Sequence, residues 1–475
     1  MRIDGAPVDT DDVRAVRSPF DDRVVGTVPV GTTAHIDAAV GVATARHAGA
    51  PLPTHERARI LDAIADALAA GVEAFAGIIS AESAKPITTA RIEATRAVDT
   101  FRTAAAVART ATGDVIPLDA TVPGAGHLGF TVRLPIGVVA AITPFNFPLN
   151  LVAHKVAPAI AAGCPVVLKP ASATPLTALA LAALAEESGL PPGWLNVVTC
   201  DGATADHLVT HPGVALVTFT GSAEVGWAIG ARAPRAKVNL ELGNATPVVV
   251  ADDVDDVVGI ARRLATGAFG FAGQSCISVQ RVYATPGIAD ALTEALAGAT
   301  SAQVVGDPAD DTTQVSALIT PAETRRVAAV IDDAVALGGA VRVGGGVRAL
   351  GAHGVLEPTL VTAMPGESSL ARHEVFGPVV GVTEVADVSE GLALANATPY
   401  GLQAGIFTSD LTTALDAART LRFGGVTVNE VPTWRADQMP YGGVGESGNT
   451  KEGPAWSVRE MTTERLVVVN GWGGT

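Results

Sequence analysis

Lysine is scarce. Lys85, Lys155, Lys169, Lys237 and Lys451 are the only five among 32 basic residues, so each is a candidate for chemistry that needs a compact ammonium. Positive charge is outweighed by 48 acidic residues, which leave a formal net charge of −16. Such a surface repels a phosphate backbone or an anionic membrane, so no nucleic acid and no membrane is expected as a partner. An anionic metabolite would need cations gathered locally. Cysteine is limited to Cys164, Cys200 and Cys276, an odd count that fits a reducing compartment, by default the cytoplasm, and leaves room for one working thiol. No apolar segment follows the acidic start MRIDGAPVDTDDVR, so no secretory signal is expected. Proline interrupts the richest apolar stretches, such as Pro135 to Phe147, before they reach the length of a membrane span. Repeats, low-complexity tracts and long linkers are also missing.

What remains is a globular composition, 48% apolar and 17% charged, in 475 residues, too many for one core. From about residue 136, short apolar runs alternate with helical patterns. IGVVAAI (136–142), PVVLK (165–169), LNVVT (195–199), VALVTFT (214–220) and VNLEL (238–242) read as buried strands separated by helices, which implies a parallel sheet covered on both faces. A second series begins near Ala251 and includes CISVQRVYA (276–284) and VTVNE (426–430). Its best-marked helix has Thr320 and Glu323 as a capping box, Pro321 at the first position and Gly338–Gly339 at the end. Two α/β lobes meeting near 242–250 are expected. GHLGFTVRLP (126–135) and ERLVVVN (464–470) read as edge strands, or as an arm that pairs with another subunit.

Five places carry chemistry, each with an ordinary alternative. Cys276, in FAGQSCISV, is a buried core thiol or a nucleophile at a loop-to-strand junction. Glu241, inside a buried strand, is half of an ion pair or a base whose pKa burial has raised. Asn146, held between Pro144 and Pro148, satisfies its own turn or aims an amide at a developing oxyanion. Lys169 ends a strand at the edge where open α/β sheets bind nucleotides, and is otherwise a solvated cation. FTGS (219–222) turns a strand into a helix, where backbone N–H groups can face a pyrophosphate.

Taken together and in order, TPFNFP, LKPAS, FTGS, LELGN, GQSC and HEVFGP resemble the aldehyde dehydrogenase superfamily, from about residue 15 to the C-terminus. The resemblance implies an α/β aldehyde dehydrogenase-like fold. Its Rossmann-type dinucleotide-binding domain would take residues 1–120 and 137–242, its α/β catalytic domain 243–445, and a small β oligomerisation arm 121–136 and 462–475. It implies Cys276 as nucleophile, Glu241 as the deacylation base and Asn146 as oxyanion donor beside the Cys276 N–H. NAD or NADP, with NAD favoured, is expected against Thr143, Pro144, Phe145, Lys169 and Ser172, then Gly202, Phe219, Gly221, Ser222 and Leu242. Glu374 and Phe376 are expected at the nicotinamide end, and Lys155 and Glu452 in a proton relay. No metal is expected, and the assembly is expected to be a homodimer or homotetramer.

Three departures from the family pattern stand out. Asn244 replaces the second Gly of Glu-Leu-Gly-Gly and is expected to tolerate a positive φ there. Ser172 stands where NAD-selective members often carry Glu, which leaves NADP open. Gly445 replaces a Lys. Glu241 argues against a CoA-acylating type, and the presence of Cys276 and Asn146 argues against an inactive homologue. For the substrate, Arg102, His154 and Arg435 resemble the branch that acts on small anionic or hydroxylated aldehydes. An arginine fork suits phosphonate, sulfonate or carboxylate. The reading that follows is a phosphonoacetaldehyde- or phosphonoformaldehyde-type dehydrogenase, with lactaldehyde or succinate semialdehyde as the alternative.

Overall fold

In the computed structural model, which describes residues 1–233 and 235–472, the expected strand runs form a parallel sheet. Its order is Lys237–Glu241, Val214–Thr220, Val138–Ile142, Val166–Lys169 and Leu195–Val197, extended at one edge by Arg2–Ile3 and Ala6–Pro7. Side chains alternate across it. Val139, Ala141, Val166 and Leu168 pack against the helices Thr54–Ala70, Ile87–Thr110, Asn150–Ala162 and Leu176–Glu187. Val138, Ala140, Ile142, Val167 and Val217 face Thr33–Ala48, Gly202–Thr210 and Ala223–Arg232. Burial on both faces explains why these strands read as unbroken apolar runs rather than alternating ones.

The second seven-stranded sheet runs Ala340–Val343, Thr359–Thr362, Val379–Glu384, Val279–Ala284, Thr246–Val250, Gln403–Phe407 and Gly425–Val428. Only Ala340–Val343 is antiparallel to its neighbour. Helix Pro321–Ala336 begins where expected, with Thr320 Oγ1 accepting from the Glu323 N–H. The Glu323 carboxylate turns to Arg326 (2.8 Å) rather than back to the cap. The strand expected from Cys276 starts only at Val279, because residues 275–278 form a turn closed by the Ser278 N–H on the Ser275 carbonyl (3.0 Å).

A third sheet pairs Thr462–Asn470 with His127–Pro135 along their whole length, from Thr462 opposite Pro135 to Asn470 opposite His127, and adds Val115–Ile116. The two candidate edge strands therefore pair with each other within the chain. The outer strand keeps a free edge, with Leu466, Val468 and Val469 exposed. Residues 473–475 of the expected arm lie outside the described residues. No single helix among the described residues is long and apolar enough to cross a membrane.

One buried ion pair bolts the first lobe together below the junction of the two large sheets. Lys85, fully buried, pairs with Glu93 and donates to the backbone carbonyl of Asn146 (2.6 Å), with its ammonium over the rings of Phe147 (3.9 Å) and Phe271 (4.5 Å). Glu93 in turn accepts the N–H groups of Leu149 and Asn150 (2.9 and 3.1 Å), the free donors at the start of helix Asn150–Ala162. Lys85→Met leaves the Glu93 carboxylate buried beside apolar groups. It is expected to cost about 3–5 kcal/mol, read as a lowered urea midpoint, and Lys85→Met with Glu93→Gln should recover part of that loss. An unchanged midpoint in the single variant would show that the pair holds nothing.

Candidate active site

The five parallel strands of the first sheet follow the sequence order 5-4-1-2-3 across the sheet, so the connections reverse direction between Val138–Ile142 and Val214–Thr220. A crevice opens at the carboxyl ends of strands at such a reversal. Thr143, Pro144 and Phe145 leave the first strand there, Phe219, Gly221 and Ser222 close the fourth, and Leu242 follows the fifth. Lys169 ends the second strand, and Gly202 opens the helix after the third. The hydroxyls of Thr143 and Thr220, on either side of the reversal, are buried without a hydrogen-bond partner. Ser222 caps helix Ala223–Arg232, and a Cβ on Gly221 would lie 2.5 Å from the Phe219 ring. Orphaned hydroxyls, a helix start and a glycine with no room for a side chain fit a pyrophosphate-bearing dinucleotide. Lys169 is nearly buried, and desolvation lowers its pKa. Ser172 donates to the Cys200 carbonyl (3.2 Å).

Across from this crevice, the chain enters Cys276 through three consecutive left-handed residues, Phe271 (φ 50°), Ala272 (φ 53°) and Gly273 (φ 70°). Two of them are not glycine, so the turn is strained and the packing must hold it. Phe271 lies under the Lys85 ammonium, and a Cβ on Gly273 would overlap the Gly377 carbonyl. Gln274 Oε1 accepts from the Ile319 N–H (2.9 Å), and the Gln274 carbonyl accepts from Asn146 Nδ2 (2.9 Å). The Asn146 amide is thus fixed to the loop that presents the thiol, with its second N–H free. Cys276 Sγ sits 2.9 Å from the Tyr441 hydroxyl, and desolvation pushes the thiol up to about 12. On the far side, Glu374 accepts from the Asn244 N–H (3.2 Å), and burial pushes it up to about 7. Phe376, at φ 51°, meets the Phe145 ring edge-on at 5.8 Å.

Glu241 is buried with neither carboxylate oxygen bonded. Desolvation, then the nearby Glu452, raises its pKa well above the ordinary range. Beside it runs a charged chain. Lys155 donates to Thr218 (3.0 Å) and lies 3.7 Å from Glu452, whose other oxygen accepts from Arg435 (2.9 Å). Arg435 covers the face of Tyr441 at 3.8 Å and reaches His154 Nε2 (3.2 Å). His154 Nε2 also lies 2.8 Å from Asp437, which accepts two bonds from Arg96 (2.8 and 3.1 Å) and one from Asn150 (3.0 Å). Burial would raise Asp437, but His154 and Arg96 outweigh it and hold it far below the usual carboxylate range. Burial lowers both His154 and Lys155.

Two expectations are corrected here. Arg102 does not join this cluster: it lies on the solvent side of its helix, 53% exposed, and 3.5 Å from the still more open Asp66. The arginine that does reach in is Arg96, six residues earlier and on another face of the same helix. Asn244 does not use a positive φ, and neither does Gly243. The Asn244 side chain instead bonds Thr246 (2.9 Å), the Gln403 carbonyl (2.8 Å) and the Leu402 N–H (3.3 Å), and Gly243 is needed because a Cβ there would overlap the Glu374 carboxylate. Gly445 has a positive φ of 59°, which suits glycine. Sequence reasoning also missed Asp437 and Tyr441. Both lie within six residues of Arg435, and an acid and a phenol near an arginine were the available signal.

The sequence pattern of the aldehyde dehydrogenase family matches residues 8–467. A 3-sulfolactaldehyde dehydrogenase of Priestia megaterium is 42% identical over 417 residues, 88% of this chain and 86% of that protein. Aldehyde dehydrogenase 21 of Physcomitrella patens, solved with its reaction product succinate, superposes with a TM-score of 0.95 at 37% identity, covering 100% of this chain and 98% of that one. A glyceraldehyde-3-phosphate dehydrogenase of Methanocaldococcus jannaschii complexed with NADP gives 0.92 at 34% identity, over 98% and 100%.

The geometry separates the two arginines. Arg96→Ala leaves Asp437 buried with its bidentate partner gone and is expected to cost about 2–4 kcal/mol of stability. Arg102→Ala removes an exposed pair and should stay within about 0.5 kcal/mol of the parent. Thermal and urea midpoints check both, and equal losses would contradict the placement of Arg102.

Proposed function

Because the chain belongs to the aldehyde dehydrogenase family, we propose that it oxidises a small, singly charged anionic aldehyde to the acid through a thioester at Cys276. It is an NAD(P)-dependent oxidoreductase. The Cys276 thiolate adds to the aldehyde carbon, and the free N–H of Asn146 and the unengaged backbone N–H of Cys276 receive the oxyanion. NAD(P), when bound, would be held by Thr143–Phe145, Lys169, Gly221–Ser222, Glu374 and Phe376 and would supply the hydride acceptor. Gly202, Phe219 and Leu242 shape the crevice, and Ser172 stands beside Lys169 without a carboxylate to repel a 2′-phosphate. Glu241 then takes a proton from water, which releases the acid. Lys155 and Glu452 pass that proton away from Glu241.

The observation that carries the substrate class is the pair of unpartnered buried atoms Arg435 Nε and His154 Nδ1 within the charged cluster. With Glu241 protonated, the cations Arg96, Lys155 and Arg435 face two carboxylates, Asp437 and Glu452, so the cluster carries one net positive charge in a protein of net −16. One surplus charge matches a sulfonate or carboxylate better than a doubly charged phosphonate, and the Arg96 fork is already filled by Asp437. The 42% identity to a 3-sulfolactaldehyde dehydrogenase supports the same choice. Succinate semialdehyde is the alternative, supported by the neighbour solved with succinate. The free edge at Leu466–Val469 is the proposed seam of a homodimer or homotetramer.

Cys276→Ala is expected to abolish NAD(P)H formation, whereas Cys164→Ala and Cys200→Ala keep most of it. Glu241 works deprotonated and its pKa is raised well above the usual carboxylate range, so turnover limited by deacylation should climb with pH above the range in which an ordinary carboxylate titrates. Glu241→Gln should flatten that climb and leave a single burst of NAD(P)H with acyl-enzyme visible by mass spectrometry. A mutant with no burst would place Glu241 before hydride transfer. For the substrate, wild-type kcat/KM should rank sulfonate and carboxylate aldehydes above propanal. Arg435→Ala should raise KM for the charged ones by roughly thirty-fold, from a loss of about 2 kcal/mol, and leave KM for propanal unchanged while kcat falls alike for both. An equal rise of KM on both would make Arg435 a structural residue.

A further inference from the structure

Burial pushes the thiol up to about 12, so it is almost wholly protonated at neutral pH; of the nearby charges Glu374 and Glu241 raise it further and Arg435 lowers it. One polar side chain touches the sulfur. The Tyr441 hydroxyl lies 2.9 Å from Sγ and makes no other side-chain hydrogen bond among the described residues. Tyr441 is 3% exposed and packed with Ile277, Leu402 and Met439. Its backbone pairs with Glu452, and its ring is covered by the Arg435 guanidinium at 3.8 Å. A cation on the face of a phenol withdraws electron density and makes the O–H a stronger donor. Arg435 is itself held in place by Glu452, so the donor is built into the fold rather than carried on a loop tip.

We propose that Tyr441, polarised by Arg435, is a catalytic residue that donates a hydrogen bond to the Cys276 thiolate whenever that thiolate exists. In the first step the thiol loses its proton to water and the phenol keeps its own. Sulfur then bonds to the aldehyde carbon, the carbonyl pair moves to oxygen, and the phenol's bond is given up. In the last step water deprotonated by Glu241 adds to the thioester carbon, the C–S bond breaks with its pair going to sulfur, and the phenol bond re-forms on the leaving thiolate. Attack and release therefore share one donor. Asn146 serves the oxygen of the same carbon, so sulfur and oxygen each have their own.

The inference rests on Cys276 being the nucleophile, and its test does not use turnover. Wild type and Tyr441→Phe are alkylated with iodoacetamide between pH 6 and pH 11, and labelling of the Cys276 peptide is followed by mass spectrometry. That range lies below the thiol's titration midpoint in either protein, and loss of a hydrogen bond to a charged group should slow labelling roughly ten- to a hundred-fold throughout it. Thermal midpoint and dinucleotide binding should hold, because phenylalanine keeps the packing. A Tyr441→Phe profile that superposes on wild type overturns the proposal. Full aldehyde oxidation in Cys276→Ala would instead overturn the reading beneath it. If Tyr441→Phe does not fold, 3-fluorotyrosine at position 441, a stronger donor of nearly the same shape, should speed labelling across the same range, and an unchanged rate overturns the proposal equally.

Discussion

Desolvation of charge where the two large sheets meet is the constraint on which the site depends. Asp437, Glu452, Lys155, His154 and Arg435 are almost wholly buried there, and none of them is left as a lone ion. A single carboxylate in that position would protonate instead. Glu241 shows this directly: it has no bonded partner, and it is the carboxyl of the cluster whose pKa rises. The same low-dielectric junction thus produces two opposite kinds of carboxyl within one cluster. Pairing with cations keeps Asp437 and Glu452 ionised at rest, and isolation makes an exchangeable acid of Glu241.

Holding that arrangement takes a rigid floor, and the floor is also ionic. Lys85 and Glu93 connect three things at once: the start of helix Asn150–Ala162, the turn that carries Asn146 and, through the Phe271 ring, the strained entry to Cys276. Helix Asn150–Ala162 then delivers His154 and Lys155 to the cluster from its buried first turns. Three consecutive left-handed residues persist in the nucleophile loop because carbonyl, ring and ammonium contacts close around them. Substitutions in the Lys85–Glu93 pair therefore act on the position of the thiol as well as on stability.

The parallel sheet was legible because strands buried on both faces leave unbroken runs such as VVLK and VALVTFT, and because a glycine or proline ends each one. Helix Pro321–Ala336 was legible from its cap, where Thr320 needs only its own next three residues. Arg102 misled because a helical wheel gives faces but not which face meets the other lobe; that depends on packing against Asn150–Ala162, which lies some fifty residues away in the chain. Asn244 misled for a related reason. Its residue type permits a left-handed turn, yet Gln403 offers it a carbonyl and Leu402 an N–H, and those long-range bonds decide its conformation. Asp437 and Tyr441 could be named in sequence but not placed, because each matters only through a partner more than 150 residues distant.

The raised pKa values of Cys276 and Glu241 also bear on the order of events. Each group works as an anion, and Glu241 is among the charges that make the thiol harder to ionise. Two neighbouring anions in a dry site are costly, so the groups are best ionised in turn. The chemistry permits this. Once Cys276 has become a thioester its sulfur can no longer carry a negative charge, and the field opposing ionisation of Glu241 is relieved at the moment a base is needed. When the C–S bond breaks the thiolate returns, and Glu241, having taken a proton from water, is neutral again. Lys155 and Glu452, already paired beside it, offer that proton a way out before the next aldehyde arrives. Burial that first looks like a handicap for both groups thereby keeps them from being charged together.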